Sequence, residues 1–212
     1  MKYLPPVNYL AHLLLSNNEP GVRIGNFAGD LFKGRQWEEA PVDIGRGILL
    51  HRFIDTHADE HPVNAELRRV LQPYFGKWAG VALDMYYDHI LAGGWAEHSD
   101  LTLVEFLEDC DADFEARKGD TPARAYNRWR VIYGHRFMHH YADPEGIARV
   151  FDGMKGRIPH DTGFEASRKV LGRERDVIAR GFHSYFPQLK LAAREHLRKL
   201  ADNENREDEG HQ

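Results

Sequence analysis

The chain has 212 residues, of which 42% are hydrophobic, so it is long enough for one globular domain with a substantial core. Its net charge of −5 gives no overall electrostatic attraction for DNA or RNA, although the 28 Lys and Arg residues leave room for a local basic patch. The single cysteine, Cys110, excludes an intramolecular disulfide, and no apolar run approaches the roughly 18 residues of a membrane-spanning helix. We therefore expect a cytoplasmic protein with neither a nucleic-acid nor a membrane partner.

Helical periodicity runs through the first half of the chain. Apolar residues recur at intervals of three and four, and turn signals rich in Asn, Pro and Gly separate the segments. The predicted helices are Val7–Leu15, Val22–Phe32, Ile44–His57, Val63–Tyr74 and Trp78–Ile90.

The second half has the same periodicity. The predicted helices there are Leu101–Arg117, Pro122–Tyr141, Pro144–Gly153 and Phe164–Leu200. Pro187 lacks an amide donor, so we expect it to end or kink the last of these helices. Since strand alternation is missing from the sequence, the pattern predicts an all-α, single-domain helical bundle over residues 1–202 and a polar, disordered tail over residues 203–212.

Two predicted helices carry polar side chains four positions apart. His51 and Asp55 form one pair, with Asp59 one turn further on, and Asp84 and Asp88 form the other. Residues i and i+4 share a helix face, so each pair could present two ligand atoms to one cation. A single pair of this kind is often only a solvated surface pair. Two such pairs in one chain favour a metal site.

The second pair lies in an apolar environment. Aliphatic and aromatic residues flank Asp84 and Asp88, and an unpaired carboxylate would be costly to bury there. Either a metal ion or an arginine could neutralise it. Asp30, near the end of the second predicted helix, adds another carboxylate. Several carboxylates with few histidines favour Mn²⁺ or Mg²⁺ over zinc.

His12 and Asn26 are polar residues within otherwise apolar or glycine-containing helices. A lone histidine in this setting could be a hydrogen-bonded core residue, a metal ligand, a group that orients a ligand, or a general acid. Asn26 is open to the same range of structural and functional interpretations.

Basic residues recur beside these positions. Taken singly, Lys33 or Arg52 would be an ordinary solvated side chain. Together they could hold phosphate oxygens or an acidic protein surface. A second basic group, from Arg124 to Arg136, alternates with aromatic residues. We interpret it as core aromatics with a basic outer face rather than as a surface that stacks nucleic-acid bases.

Four segments carry a resemblance to a known family. They are Asn8-Tyr9-Leu10-Ala11-His12, Gly25-Asn26 with Asp30, His51-Arg52-Phe53-Ile54-Asp55 continuing to Asp59, and Leu83-Asp84 leading to Asp88-His89. In this order they resemble the acyl carrier protein phosphodiesterase family, and the similarity continues through Gly153-Met154 and Phe186-Pro187.

This resemblance implies a helical, HD-phosphohydrolase-like domain. It also implies hydrolysis, with Mn²⁺ as cofactor and Mg²⁺ or Fe²⁺ as alternatives, of the phosphodiester that joins 4′-phosphopantetheine to a serine of the carrier protein. The expected partner is holo acyl carrier protein, a small acidic protein.

The resulting hypothesis assigns one or two divalent ions to a ligand set of Asp30, His51, Asp55, Asp84, Asp88 and His89. A bound water would attack phosphorus while Lys33 and Arg52 neutralise charge on the phosphate. His12, grouped with Asn26 among the catalytic residues, would orient a ligand or protonate the departing oxygen.

Two other functions remain open from the sequence. An HD-like phosphohydrolase acting on a nucleotide or another small phosphoester would use the same ions. A non-enzymatic helical module that binds an acidic partner would instead use the polar pairs as structural ion pairs, and it predicts that no metal binds at the aspartates.

Overall fold

The computed structural model describes residues 8–209, with side chains described up to residue 203. These residues form helices and connecting turns and contain no β-strand, which confirms the all-α prediction. The helices are α1 Tyr9–Leu14, α2 Pro20–Ala28, α3 Val42–Glu60, α4 Pro62–Phe75, α5 Ala79–Gly93, α6 Leu103–Ala116, α7 Ala123–Gly134, α8 Pro144–Lys155 and α9 Ser167–Glu209.

Several helix ends differ from the predicted ones because local capping decides them. The predicted helix Val22–Phe32 ends as α2 at Ala28, and a separate 3₁₀ turn, Gly29–Leu31, follows. Helix α6 begins at Leu103 because Thr102 and Glu105 form a capping box. Helix α7 ends at Gly134, before a backbone reversal at Arg136, which has a φ of 53°.

Helix α9 continues through Pro187 rather than ending there. The flanking side chains of Tyr185, Phe186 and Leu189 are almost completely buried, and their packing outweighs the single amide hydrogen bond that proline removes. The helix runs to Glu209 and so overlaps the predicted tail, whose residues 210–212 lie outside the described part of the chain. The division into a domain and a tail stays a prediction.

Close packing of α2 against α3 brings the polar residues of the two helices together. Gly25 and Gly47 face one another at the crossing, where an added Cβ on either residue would overlap backbone atoms of the opposite helix. Glycine at both positions lets the two backbones approach closely. This approach places Asn26 of α2 beside His51 of α3.

An aromatic cluster attaches α6 and α7 to α2. Phe27 meets Phe114 and Trp129 edge-on, with ring centroids 5.3 and 5.4 Å apart, and the latter two rings stack at 4.5 Å. All three side chains are fully buried. Aromatic packing of this kind stabilises beyond simple area burial. It also fixes α7 beside the end of α2, where Asp30 lies.

None of the helices among residues 8–209 is both long enough and apolar enough to span a membrane.

Candidate metal centre and active site

Helix α1 is anchored at its first turn by a carboxylate from α5. Asp88 is fully buried, and its two oxygens accept hydrogen bonds from the backbone amides of Leu10 and Ala11 at 2.9 and 3.0 Å. The first amides of a helix lack partners within the helix, and the oxygens of a buried carboxyl group can accept from them. Asp88 therefore fixes the short helix that carries His12.

Asn26 determines which nitrogen of each neighbouring imidazole carries a proton. Its side-chain oxygen lies 2.6 Å from His12 Nδ1, and its backbone oxygen lies 2.8 Å from His51 Nδ1. An oxygen of this type can only accept, so both Nδ1 atoms donate. In the neutral rings the lone pair is then on Nε2, which is the arrangement of a metal-binding histidine oriented by a neighbouring carbonyl.

The two Nε2 atoms converge on Asp55. His12 Nε2 lies 3.3 Å from Asp55 Oδ1, and His51 Nε2 lies 3.2 Å from Oδ2. The ligand atoms of the three side chains are all within 4.8 Å of one another, a spacing that a single metal ion could bridge. We call His12, His51 and Asp55 the HHD cluster.

Burial and hydrogen bonding favour a cation at the HHD cluster. His12 Nε2 is buried and makes no hydrogen bond despite its approach to Asp55. A neutral imidazole would direct its lone pair at the carboxylate, which is repulsive unless a positive charge lies between them. The histidines are only 1% and 3% exposed, whereas the Asp55 side chain is 50% exposed, so the cluster opens to solvent at Asp55. The residues present therefore fit a divalent cation.

The charge balance at Asp55 agrees with this arrangement. Burial alone would raise the pKa of Asp55, but hydrogen bonds and positive charge from His12 and His51, when those rings are protonated, lower it more, so the pKa of this carboxyl lies well below its usual range. A metal ion bound to the neutral rings would supply the same positive charge. Asp55 is thus ionised at neutral pH, as a metal ligand must be.

Asp30 lies beside the HHD cluster and is paired with an arginine from α7. Arg128 Nη1 donates to both Asp30 oxygens, at 2.7 and 2.9 Å. Burial raises the pKa of Asp30 more than Arg128 lowers it, and the charges of His51 and Asp55 also act on this carboxyl. Asp30 is therefore near the cluster, but it is held by an ion pair.

Asp84 of α5 is close enough to Asp55 for the two charges to interact. Its pKa is raised well above the usual value, chiefly by burial and then by repulsion from Asp55 and Asp88. A second cation or a retained proton would relieve this repulsion.

Asp88 and His89 have partners outside the HHD cluster. Burial raises the pKa of Asp88 to about 8, against the effect of its two amide hydrogen bonds. His89 Nδ1 donates to the backbone oxygen of Tyr141 at 2.6 Å. Metal ligation by Asp30, Asp84, Asp88 and His89 stays a prediction.

The two predicted phosphate-binding residues differ in placement. The Lys33 side chain is exposed. Arg52 donates to the backbone oxygens of Gly34 and Phe32 at 2.7 and 3.0 Å, and so holds the loop that follows Asp30. The sequence placed Arg128 in the second basic group but did not pair it with Asp30, because the 98 positions between the two residues leave no periodic signal.

The chain matches a protein-family model over most of its length. The family model described as acyl carrier protein phosphodiesterase matches residues 7–189, a span that contains the HHD cluster, Asn26 and Arg128. The chain belongs to the acyl carrier protein phosphodiesterase family. This confirms the resemblance found in the sequence.

Curated relatives named acyl carrier protein phosphodiesterase match over nearly their whole length. The relative from Klebsiella pneumoniae (strain 342) is 30% identical over 88% of this chain and 97% of its own length. The relative from Enterobacter sp. (strain 638) is 28% identical over 89% of this chain and 98% of its own. The relative from Yersinia pestis is 27% identical over 88% and 97%. No solved structure matched the chain.

Proposed function

We propose that this member of the acyl carrier protein phosphodiesterase family hydrolyses holo acyl carrier protein. Water adds to the phosphorus of the diester, the bond from phosphorus to the serine oxygen breaks, and that oxygen takes a proton. The products are apo acyl carrier protein and 4′-phosphopantetheine. The observation that carries this proposal is the HHD cluster, a buried, solvent-connected group of metal-ligand type within a chain of this family.

His12, His51 and Asp55 would hold the cation, with Mn²⁺ as the first choice and Mg²⁺ or Fe²⁺ as alternatives. Two imidazole nitrogens and one carboxylate oxygen are donors that Mn²⁺ and Fe²⁺ accept, while Mg²⁺ prefers oxygen ligands. When bound, such an ion polarises phosphoryl oxygens and lowers the pKa of a coordinated water.

The remaining residues position these ligands and the phosphate. Asn26 fixes the tautomers of both histidines, and Asp88 fixes the helix that carries His12. This geometry favours His12 as a ligand over His12 as a general acid, because a neutral ring that donates through Nδ1 has no proton on Nε2. Arg128 provides a guanidinium beside the cluster that can bind phosphate oxygens in place of Asp30.

The natural partner is the holo carrier itself, and the proposed compartment is the cytoplasm, where a lone buried thiol such as Cys110 persists reduced.

The test is the mass of holo acyl carrier protein after incubation with the purified protein. We expect loss of one phosphopantetheine group with Mn²⁺ and none with excess chelator. Parallel reactions contain Mg²⁺, Fe²⁺ and a panel of nucleotides and small phosphoesters. Release of phosphate from the panel without any change in the carrier would refute the proposal and favour a small-phosphoester hydrolase.

A further inference from the structure

A cleft lies next to the active site, between the loop that follows Asp30 and the amino end of α7. One wall is formed by Phe32, Gln36 and Pro41, and the other by Gly119 and Arg124, among other residues. Its volume is about 330 Å³, close to the lower limit of about 300 Å³ for ligand sites in proteins.

The loop that follows Asp30 and helix α7 form the cleft, and the same two elements contribute the Asp30–Arg128 ion pair beside the HHD cluster. Asp30 binds Arg128 at the active site, and Phe32, two residues later, lies under the guanidinium of Arg124, 5.2 Å from its ring centre. Arg124 and Arg128 are four residues apart on α7, about 6 Å along the helix axis. The cleft therefore begins about one helical turn from the ion pair that lies beside the HHD cluster.

Hydrogen bonds from two arginines outside the cleft lining hold its two walls in place. Arg52 holds the carbonyls of the Phe32 loop at 2.7 and 3.0 Å. On the opposite wall, Arg117 bonds Asp43 of α3 at 2.7 Å and Asp120 at 2.8 Å. The cleft is therefore a formed surface that needs little rearrangement for binding.

The lining indicates which chemistry the cleft accepts. Apolar surface from Phe32 and Pro41 alternates with the amide of Gln36 and the guanidinium of Arg124. Two carboxylates, Glu39 and Asp120, also line it and disfavour a second anionic group. A neutral, extended chain of amides and methylene groups fits this lining, whereas the additional phosphates of a nucleotide do not.

We propose that this cleft binds the pantetheine arm of the substrate, with Arg124 donating to its amide carbonyls and Phe32 packing against its methylene groups. The inference depends on the proposed function, since it assumes that the diester binds at the HHD cluster. On this proposal, the cleft recognises the pantetheine arm rather than the carrier's polypeptide.

The test uses one substitution that fills the cleft and one matched control. Gly119→Trp adds a large side chain where a Cβ meets no atom within 4 Å, and Gly153→Trp makes the same change in α8, also with no atom within 4 Å. Arg124→Met removes the guanidinium but keeps an apolar stem. For each protein, kcat/KM is measured with holo carrier and with bis(4-nitrophenyl) phosphate, a diester without the arm.

We expect the ratio of holo-carrier to small-diester kcat/KM to fall at least tenfold in Gly119→Trp and Arg124→Met, and to stay at the wild-type value in Gly153→Trp. Free pantetheine should inhibit the wild-type protein and the Gly153→Trp protein but not the two cleft variants. An unchanged ratio with unchanged pantetheine inhibition would overturn the inference. The inference would also be overturned if the two cleft variants were still inhibited by pantetheine but were no longer inhibited by apo carrier. That result would assign the cleft to the carrier's polypeptide.

These outcomes are distinct from failure of the proposed function. If the wild-type protein cleaves the small diester but releases no phosphopantetheine from holo carrier, the proposed function is wrong, whatever the variants do.

Discussion

Replacing Asp88 by alanine tests whether this carboxylate anchors α1. Asp88→Ala leaves the amides of Leu10 and Ala11 buried without their acceptor. Each buried donor without a partner costs about 1–3 kcal/mol, so we expect the free energy of unfolding to fall by at least about 2 kcal/mol. For a chain of this length that corresponds to a fall in Tm of at least about 4 °C.

The assay is thermal unfolding in the presence of chelator, with Asp109→Ala as the control. Asp109 is an exposed aspartate on α6, so its removal should leave Tm nearly unchanged. If Asp88→Ala melted like the control and yet bound Mn²⁺ poorly, Asp88 would be a ligand and the anchoring role would be wrong.

The pH dependence of the Tm difference between wild type and Asp88→Ala gives a second check on the role of Asp88. Burial raises the pKa of Asp88 to about 8 in the folded protein, above its usual value of 3.8. Between these values the folded state binds more protons than the unfolded state, so the stability that Asp88 contributes declines as pH rises toward 8. The Tm difference between wild type and Asp88→Ala should therefore narrow from pH 5 to pH 8, and a difference that widens would contradict this reasoning.

Three further predictions concern packing, ligand orientation and an ion pair. Gly47→Ala should destabilise the protein by about 1–3 kcal/mol or more, because its Cβ would overlap a backbone carbonyl of α2, whereas Gly153→Ala has open space and should melt near the wild-type temperature. Asn26→Ala should weaken Mn²⁺ binding about 10–100-fold by releasing the His12 ring, and unchanged affinity by calorimetry would contradict the orienting role. The hydrogen bond from Arg117 lowers the pKa of Asp43, so the stability from this pair is present at neutral pH and is lost as pH falls below about 4. Asp43→Asn should accordingly lower the free energy of unfolding by up to about 1 kcal/mol at pH 7 and by less at pH 3, as measured in urea.

The sequence predicted most of the fold because amphipathic helices carry their own signal. Apolar spacing located every long helix, but it could not place ends that depend on a cap or a backbone reversal, such as the start of α6 at Leu103 and the end of α7 at Gly134. The continuation of α9 through Pro187 depends on burial by other helices, which local propensity does not contain.

The candidate site was predictable only where its residues share a helix or a family segment. His51 and Asp55 were found from their spacing on one helix face. His12 joins them only through packing of α1 against α2 and α5, so the sequence could not show that its Nε2 lies beside Asp55. The pairing of Asp30 with Arg128 connects distant parts of the chain. Because such a contact leaves no local pattern, the sequence could not predict it.

The most direct test of the HHD cluster as the metal centre compares Asp55→Asn with Asp59→Asn. Asp59 lies one turn further along α3 with its side chain 83% exposed, so the two variants undergo the same chemical change on the same helix. Mn²⁺ binding and conversion of holo to apo acyl carrier protein are measured for both. We expect Asp55→Asn to lose both, and Asp59→Asn to keep both near wild-type values. Full Mn²⁺ binding and turnover in Asp55→Asn would contradict the assignment of the HHD cluster as the metal centre.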